Sequence, residues 1–199
     1  MSGVNYANSS VHKSDLQLIE NYAVSLSGGG GGGGAQHEYA YSASTSDISV
    51  TTSDTTASLG TVNNFSSKFN LVSGTTLVYT GGTKTFSVSL SGTFVGDPTS
   101  MFSTNLFIRV NVKTGISNAT VPGSSCTVVT GGSNMTMPPN PAVANFDSVS
   151  VTTLQNGDEI TVKMAQTGGS TATLKATTQT VAGIAYAVPS LRLLLREIK

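Results

Sequence analysis

Seven consecutive glycines, Gly28 to Gly34, limit what this chain can fold into more than any other stretch. Such a run has no side chains to bury and loses the most backbone entropy on ordering. It neither forms a core nor sustains a helix or strand unaided. It therefore divides the chain into an N-terminal anchor or assembly segment, 1–27, a polyglycine hinge, 28–34, and a body, 35–199. Gly28, Gly31 and Gly34 mark the start, middle and end of the hinge. As a free coil its ends lie about 15 Å apart; gripped by neighbouring chains it becomes a fixed spacer instead.

The body is long enough to bury a real core, and its composition says of what kind. The chain carries ten basic and ten acidic side chains among 199 residues. Phosphate binding needs clustered Lys and Arg, and only Arg192, Arg196 and Lys199 come loosely together, so no nucleic-acid partner is expected. Serine, threonine, glycine and asparagine dominate, with Val, Ile, Phe and Tyr interleaved. That mixture favours strands and turns over long helices. Cys126 is the single cysteine, which rules out an intrachain disulfide and leaves it as a small apolar residue on a strand. No run reaches the roughly 18 apolar residues of a membrane span, and the first residues lack the basic start and apolar run of a signal peptide. The expectation is synthesis in a cytoplasm, with no membrane insertion and no signal-directed secretion.

Along the chain, the segment from Asp15 to Leu26 reads as a helix. Ser14 is its N-cap and Gln17 the capping-box partner three residues on. Leu16, Ile19, Ala23 and Leu26 fall on one seam. Two heptads are too short to stand alone, so the seam zips against copies of itself, docks on another protein or packs on its own body. After the glycines, Glu38 to Ser42 alternates polar and aromatic residues, and Ile48 to Val50 continues as a short β piece. Phe65, Phe69 and Leu71 lead to a turn at Ser73-Gly74, followed by Leu77 and Tyr79. Phe86, Val88, Leu90 and Phe94 then alternate with Thr85, Ser87, Ser89 and Ser91, a half-buried strand. Leu106, Ile108, Val110 and Val112 repeat the pattern, with Phe107 as an apolar residue on the opposite side.

From Thr114 to Ala144 the pattern weakens to long loops around one strand, Cys126 to Thr130. Phe146, Val149 and Val151 resume it, and Asn156-Gly157-Asp158 reads as a hairpin turn. Ile160, Val162 and Met164 follow. The chain closes on strands broken at Pro189, with Leu191, Leu193 and Leu195 facing one way and Arg192, Leu194 and Arg196 the other. Eight to ten short strands with regular Gly, Asn or Pro turns predict an all-β protein, an antiparallel β-sandwich of Greek-key or jelly-roll type.

Three stretches carry a family resemblance: Leu77 to Ser91, with its Y-x-G then F-x-V order; Phe107 to Gly115; and Val151 to Lys163, which holds an L-x-x-G-D-x-I-x-V arrangement. Together with the closing strand, these make the region from Asn63 to Lys199 resemble the C1q/TNF-like jelly roll found in bacteriophage and large-virus virion proteins. The resemblance implies a homotrimer, attachment to other virion or capsid proteins through residues 1–27, and outer loops that meet a host receptor or glycan. It implies no catalytic residue, metal or cofactor.

The expected function is therefore that of a virion structural protein: a trimeric spike, fibre tip or capsid decoration. The alternative is a single jelly-roll shell protein whose first 34 residues form an internal arm. Genome-facing arms are basic, however, and 1–27 carries Lys13 against Asp15 and Glu20. An enzyme is not expected, because two distant histidines, one cysteine and the scattered carboxylates assemble no catalytic set. Apolar residues left over from strand alternation, Phe107, Tyr186 and Leu194, are the expected subunit contact.

Overall fold

The alternating runs become strands in a computed structural model, which describes residues 37–60, 62–96, 103–130, 143–168, 172–181 and 184–199. These belong to the unit His37–Lys199. The segment 1–27, the hinge and the residues Leu16, Ile19, Ala23, Leu26, Gly28, Gly31 and Gly34 lie outside the described residues. Strands in chain order are β1 (Tyr39–Ser44), β2 (Ile48–Val50), β3 (Thr55–Thr56), β4 (Val62–Phe65), β5 (Phe69–Val72), β6 (Thr76–Tyr79), β7 (Lys84–Val95) and β8 (Thr104–Thr114). They continue as β9 (Ser117–Thr120), β10 (Cys126–Thr130), β11 (Val143–Leu154), β12 (Glu159–Thr167), β13 (Ala172–Leu174), β14 (Thr177–Val181), β15 (Ile184–Val188) and β16 (Leu191–Glu197).

Two antiparallel sheets face each other. The first runs β11-β7-β16-β1-β4, and β13, itself paired with β2, extends it beside the last two residues of β7. The second runs β10-β8-β12-β6-β5, with β9 on β8 and β3 on β12. β14 and β15 form a separate hairpin. Successive long strands cross between the sheets: β6 to β7, β7 to β8, β10 to β11 and β11 to β12 each change layer. That weave is the jelly roll.

The core is the sum of the inward faces. Phe86, Val88, Leu90, Phe94, Leu191, Leu193 and Leu195 from the first sheet meet Leu77, Leu106, Ile108, Val110, Ile160 and Val162 from the second. Phe69, Tyr79 and Phe86 close one end with ring centroids 5.0–5.5 Å apart. Gly92 interrupts the β7 alternation because the Phe146 ring, on the neighbouring β11, occupies the space a side chain would need. A Cβ there would also overlap the Ser190 carbonyl.

Two expectations change. Asn156-Gly157 does not turn a hairpin: it carries the chain from β11 in the first sheet to β12 in the second. Only Gly157 of the pair has a positive φ, 88°, whereas a hairpin's I′ turn requires it at both central residues. Ser73 and Gly74, at 54° and 67°, do meet that requirement and join the paired β5 and β6. Second, β9 lies where the sequence reads as loop. All four of its residues are exposed, so it carries no burial period to be read.

Candidate assembly face and attachment end

Cross-strand pairing places side chains from five strands in rows on the outer face of the first sheet. The middle row is Asn64, Tyr41, Leu194, Ser89 and Val149. One neighbouring row holds Tyr39, Arg196, Ser87 and Val151; the other holds Val62, Ala43, Arg192, Ser91 and Asp147. The middle row contains no charge. Val149 is 65% exposed, Val151 54% and Val62 46%. Serines 87, 89 and 91 occupy β7 between the Tyr41–Leu194 ridge and the Val149–Val151 ridge, so the centre of the face is low. β1 explains why its tyrosines stand outward: its inward positions are the small residues Ala40, Ser42 and Ser44, which fit beneath the neighbouring core.

The outer face of the second sheet is built differently. Arg109 pairs with Asp54 at 2.8 Å and Lys113 with Glu159 at 3.0 Å. Lys163 Nζ donates to Thr56 Oγ1 at 2.5 Å. Phe107, 40% exposed, stands among them, between Thr127 and Ala165. A shallow hollow of about 200 Å³ beside the β8–β9 hairpin is lined by Val112, Ala119, Val121, Pro122 and hydroxyl side chains, with no titratable group.

The two ends of the sandwich also differ. At the entry end, β1 begins and β16 finishes. Glu38 and Glu197 exchange hydrogen bonds, and Lys84 Nζ lies 3.0 Å from a carboxylate oxygen of each. The Tyr79 hydroxyl donates to Glu38 Oε2 and stands 2.9 Å from the Gly82 carbonyl. Burial, then the Glu38 carboxylate, pushes the Tyr79 phenol far above its ordinary range. Hydrogen bonding to Glu197 and then Glu38 raises the Lys84 ammonium. The tight turn at Asn156-Gly157 sits at this end, anchored by Gly157 N–H donating to the Tyr79 carbonyl at 2.8 Å. Asp158 is buried there, accepting from Thr114 Oγ1 at 2.7 Å and from the Gln155 N–H at 3.0 Å. At the opposite end β7 and β10 finish and β8 and β11 begin. Asp47, at that end, accepts from Lys175 at 2.5 Å, the chief reason its carboxyl is held below the usual range.

Leu194 and Phe107 therefore lie on opposite outer faces of the sandwich and share no single flat contact. Tyr186 sits on β15, its backbone paired with Gln179; its side chain is outside the described residues. Cys126 begins β10 and packs half-buried against the core. Burial pushes its thiol pKa up, and the Asp147 carboxylate adds to the effect. Tyr41, Val62, Val149 and Val151, which surround Leu194, are absent from the sequence-based contact. The parity of β11 could have found two of them. Phe146 and Leu154 occupy even positions and point inward; Val149 and Val151 are odd and point out.

No protein-family model and no curated protein matches the chain. Among solved structures, murine APRIL crystallised at pH 8.0 superposes with a TM-score of 0.50 at 12% identity, covering 81% of this chain and 99% of that chain. Crystals of murine APRIL at pH 5.0 and pH 8.5 give TM-scores of 0.48 and 0.43 at 15% and 14% identity over the same shares. The body is a TNF-like jelly-roll β-sandwich.

Proposed function

We propose that the chain is a homotrimeric structural protein of a virion, a spike tip or capsid decoration. In this reading it is attached through residues 1–27 and presents the end of the sandwich opposite Glu38. The observation that carries it is the outer face of the first sheet. A middle row of five side chains without a charge, rimmed by exposed valines together with Arg192, Arg196 and Asp147, is the arrangement of a surface that packs against protein through an uncharged centre and a polar rim. The polarity of the body supports the attachment. β1 begins beside Glu38, among tight turns, and β7 and β10 finish at the far end. The sequence resemblance supplies the virion setting and the trimer. A receptor or glycan is met at that far end.

Light scattering on the full chain and on a chain starting at Ala35 tests the reading. A three-chain mass from both places assembly in the β body and leaves 1–27 as the anchor. A three-chain mass from the full chain alone transfers it to Leu16, Ile19, Ala23 and Leu26. Single-chain mass from both removes the trimer, and closed shells of many copies would favour the shell-protein alternative. Mass spectrometry of purified particles tests the virion setting directly.

A further inference from the structure

We propose that Glu38 and Glu197 form an acid-released clasp that fixes the point at which the chain enters the sandwich. The two residues lie 159 positions apart and bind twice: Glu38 N–H donates to Glu197 Oε2 at 2.9 Å, and Glu197 N–H donates to the Glu38 carbonyl at 2.9 Å. Lys84 from β7 bridges the two carboxylates, and the Tyr79 hydroxyl from β6 completes the shell of Glu38. His37 is the other titratable group whose charge reaches Glu197; Lys199 lies two residues further on, and Arg196 belongs to the outer face.

The carboxylate side chains are only 12% and 9% exposed. Two negative charges share one ammonium, so they depend on donated hydrogen bonds for the solvation that water no longer gives. Protonating Glu197 ends its ion pair with Lys84 and weakens its hold on the Glu38 N–H. The next inward fixture is independent of charge: Tyr39 N–H donates to Ser66 Oγ at 3.3 Å, and Ser66 N–H donates to the Tyr39 carbonyl at 2.9 Å. Opening thus releases 37–38 and leaves the rest of β1 paired.

The direction of titration agrees. The Glu38 N–H, and after it Lys84, holds the Glu197 carboxyl below the ordinary glutamate value of 4.5. A carboxyl lowered in the folded state stabilises above its unfolded value and loses that contribution as pH falls through the folded one. The clasp is closed at neutral pH and opens below pH 4.5. The inference is independent of the assembly reading.

Hydrogen exchange on the full chain, from neutral pH down through the ordinary glutamate value and on until the exchange rate, corrected for its intrinsic pH dependence, levels off, tests it. Protection at the Glu38 and Glu197 amides should fall about tenfold for each unit by which the Glu197 carboxyl is lowered, while the Val88 and Val162 amides keep theirs. In Glu197→Gln the step should vanish. In Lys84→Met it should move to higher pH, because the carboxylate has lost its ammonium. Core amides losing protection in parallel, a step that persists in Glu197→Gln, or one that stays in place in Lys84→Met would each overturn the clasp.

Discussion

The two outer faces of this sandwich come from the same alternating pattern and end with opposite chemistry. On the second sheet, outward positions hold Arg109, Lys113, Glu159 and Lys163, each matched to a partner within the face. On the first, they hold tyrosine, leucine, valine and a file of serines; the middle row has no charge to satisfy, and Arg192, Arg196 and Asp147 stand in the rows on either side. Exposed ion pairs contribute little to stability, so the charges of the second sheet are better understood as keeping that face solvated. The first face carries its charges in the flanking rows and none along its middle row. Where a fold is shared by many functions, such an asymmetry points to the side meant for another protein.

The sharpest way to break the contrast is Leu194→Asp. If the first face is the subunit contact, an aspartate there takes a carboxylate into the uncharged middle row of every copy, where Arg192 and Arg196 of the flanking rows offset only part of a desolvation cost of several kcal/mol. Light scattering should then show single chains or insoluble protein, while Phe107→Ser on the other face leaves the assembled mass unchanged. A Leu194→Asp protein that keeps its mass would remove the first face from the contact. Gly92→Ala is the next largest. Its methyl group must displace the Phe146 ring or the Ser190 carbonyl, for a loss of about 3 kcal/mol in urea unfolding. Gly82→Ala, with nothing within 4 Å, should stay within about 0.5 kcal/mol.

Tyr79→Phe removes the donor to Glu38 from a nearly enclosed carboxylate and should cost about 1–2 kcal/mol, read as an earlier urea midpoint. Arg109→Met is the smallest. Its exposed pair with Asp54 should be worth at most about 0.5 kcal/mol, with the oligomer intact. A loss comparable to that of Gly92→Ala would mean that the second face is structural after all.

Much of this architecture is legible in the sequence wherever burial follows a strict period. Phe86 to Leu90 and Leu191 to Leu195 alternate cleanly, and both strands lie at the centre of the first sheet. Legibility fails where the inward residue is not the apolar one. β1 buries Ala40, Ser42 and Ser44 and turns Tyr39 and Tyr41 outward, because its place in the sheet leaves room only for small side chains. On β11, Ser150 points inward while Val149 and Val151 point out, so hydrophobicity alone misplaces the face. Asn156-Gly157 has the composition of a hairpin, but the backbone sign at Asn156 and the layer reached by β12 depend on the rest of the fold. The segment 1–27 and the hinge remain expectations of the sequence.

The entry point has a mechanical consequence. β1 leads in from Glu38 and is paired along six positions with β16 and four with β4. Traction between Glu38 and the far end of the sandwich runs along the strand axis, so these hydrogen bonds share the load instead of parting one after another. The joint works in shear, as a lap joint does, and the buried Leu193 and Leu195 beside it cannot be exposed until the whole overlap slips.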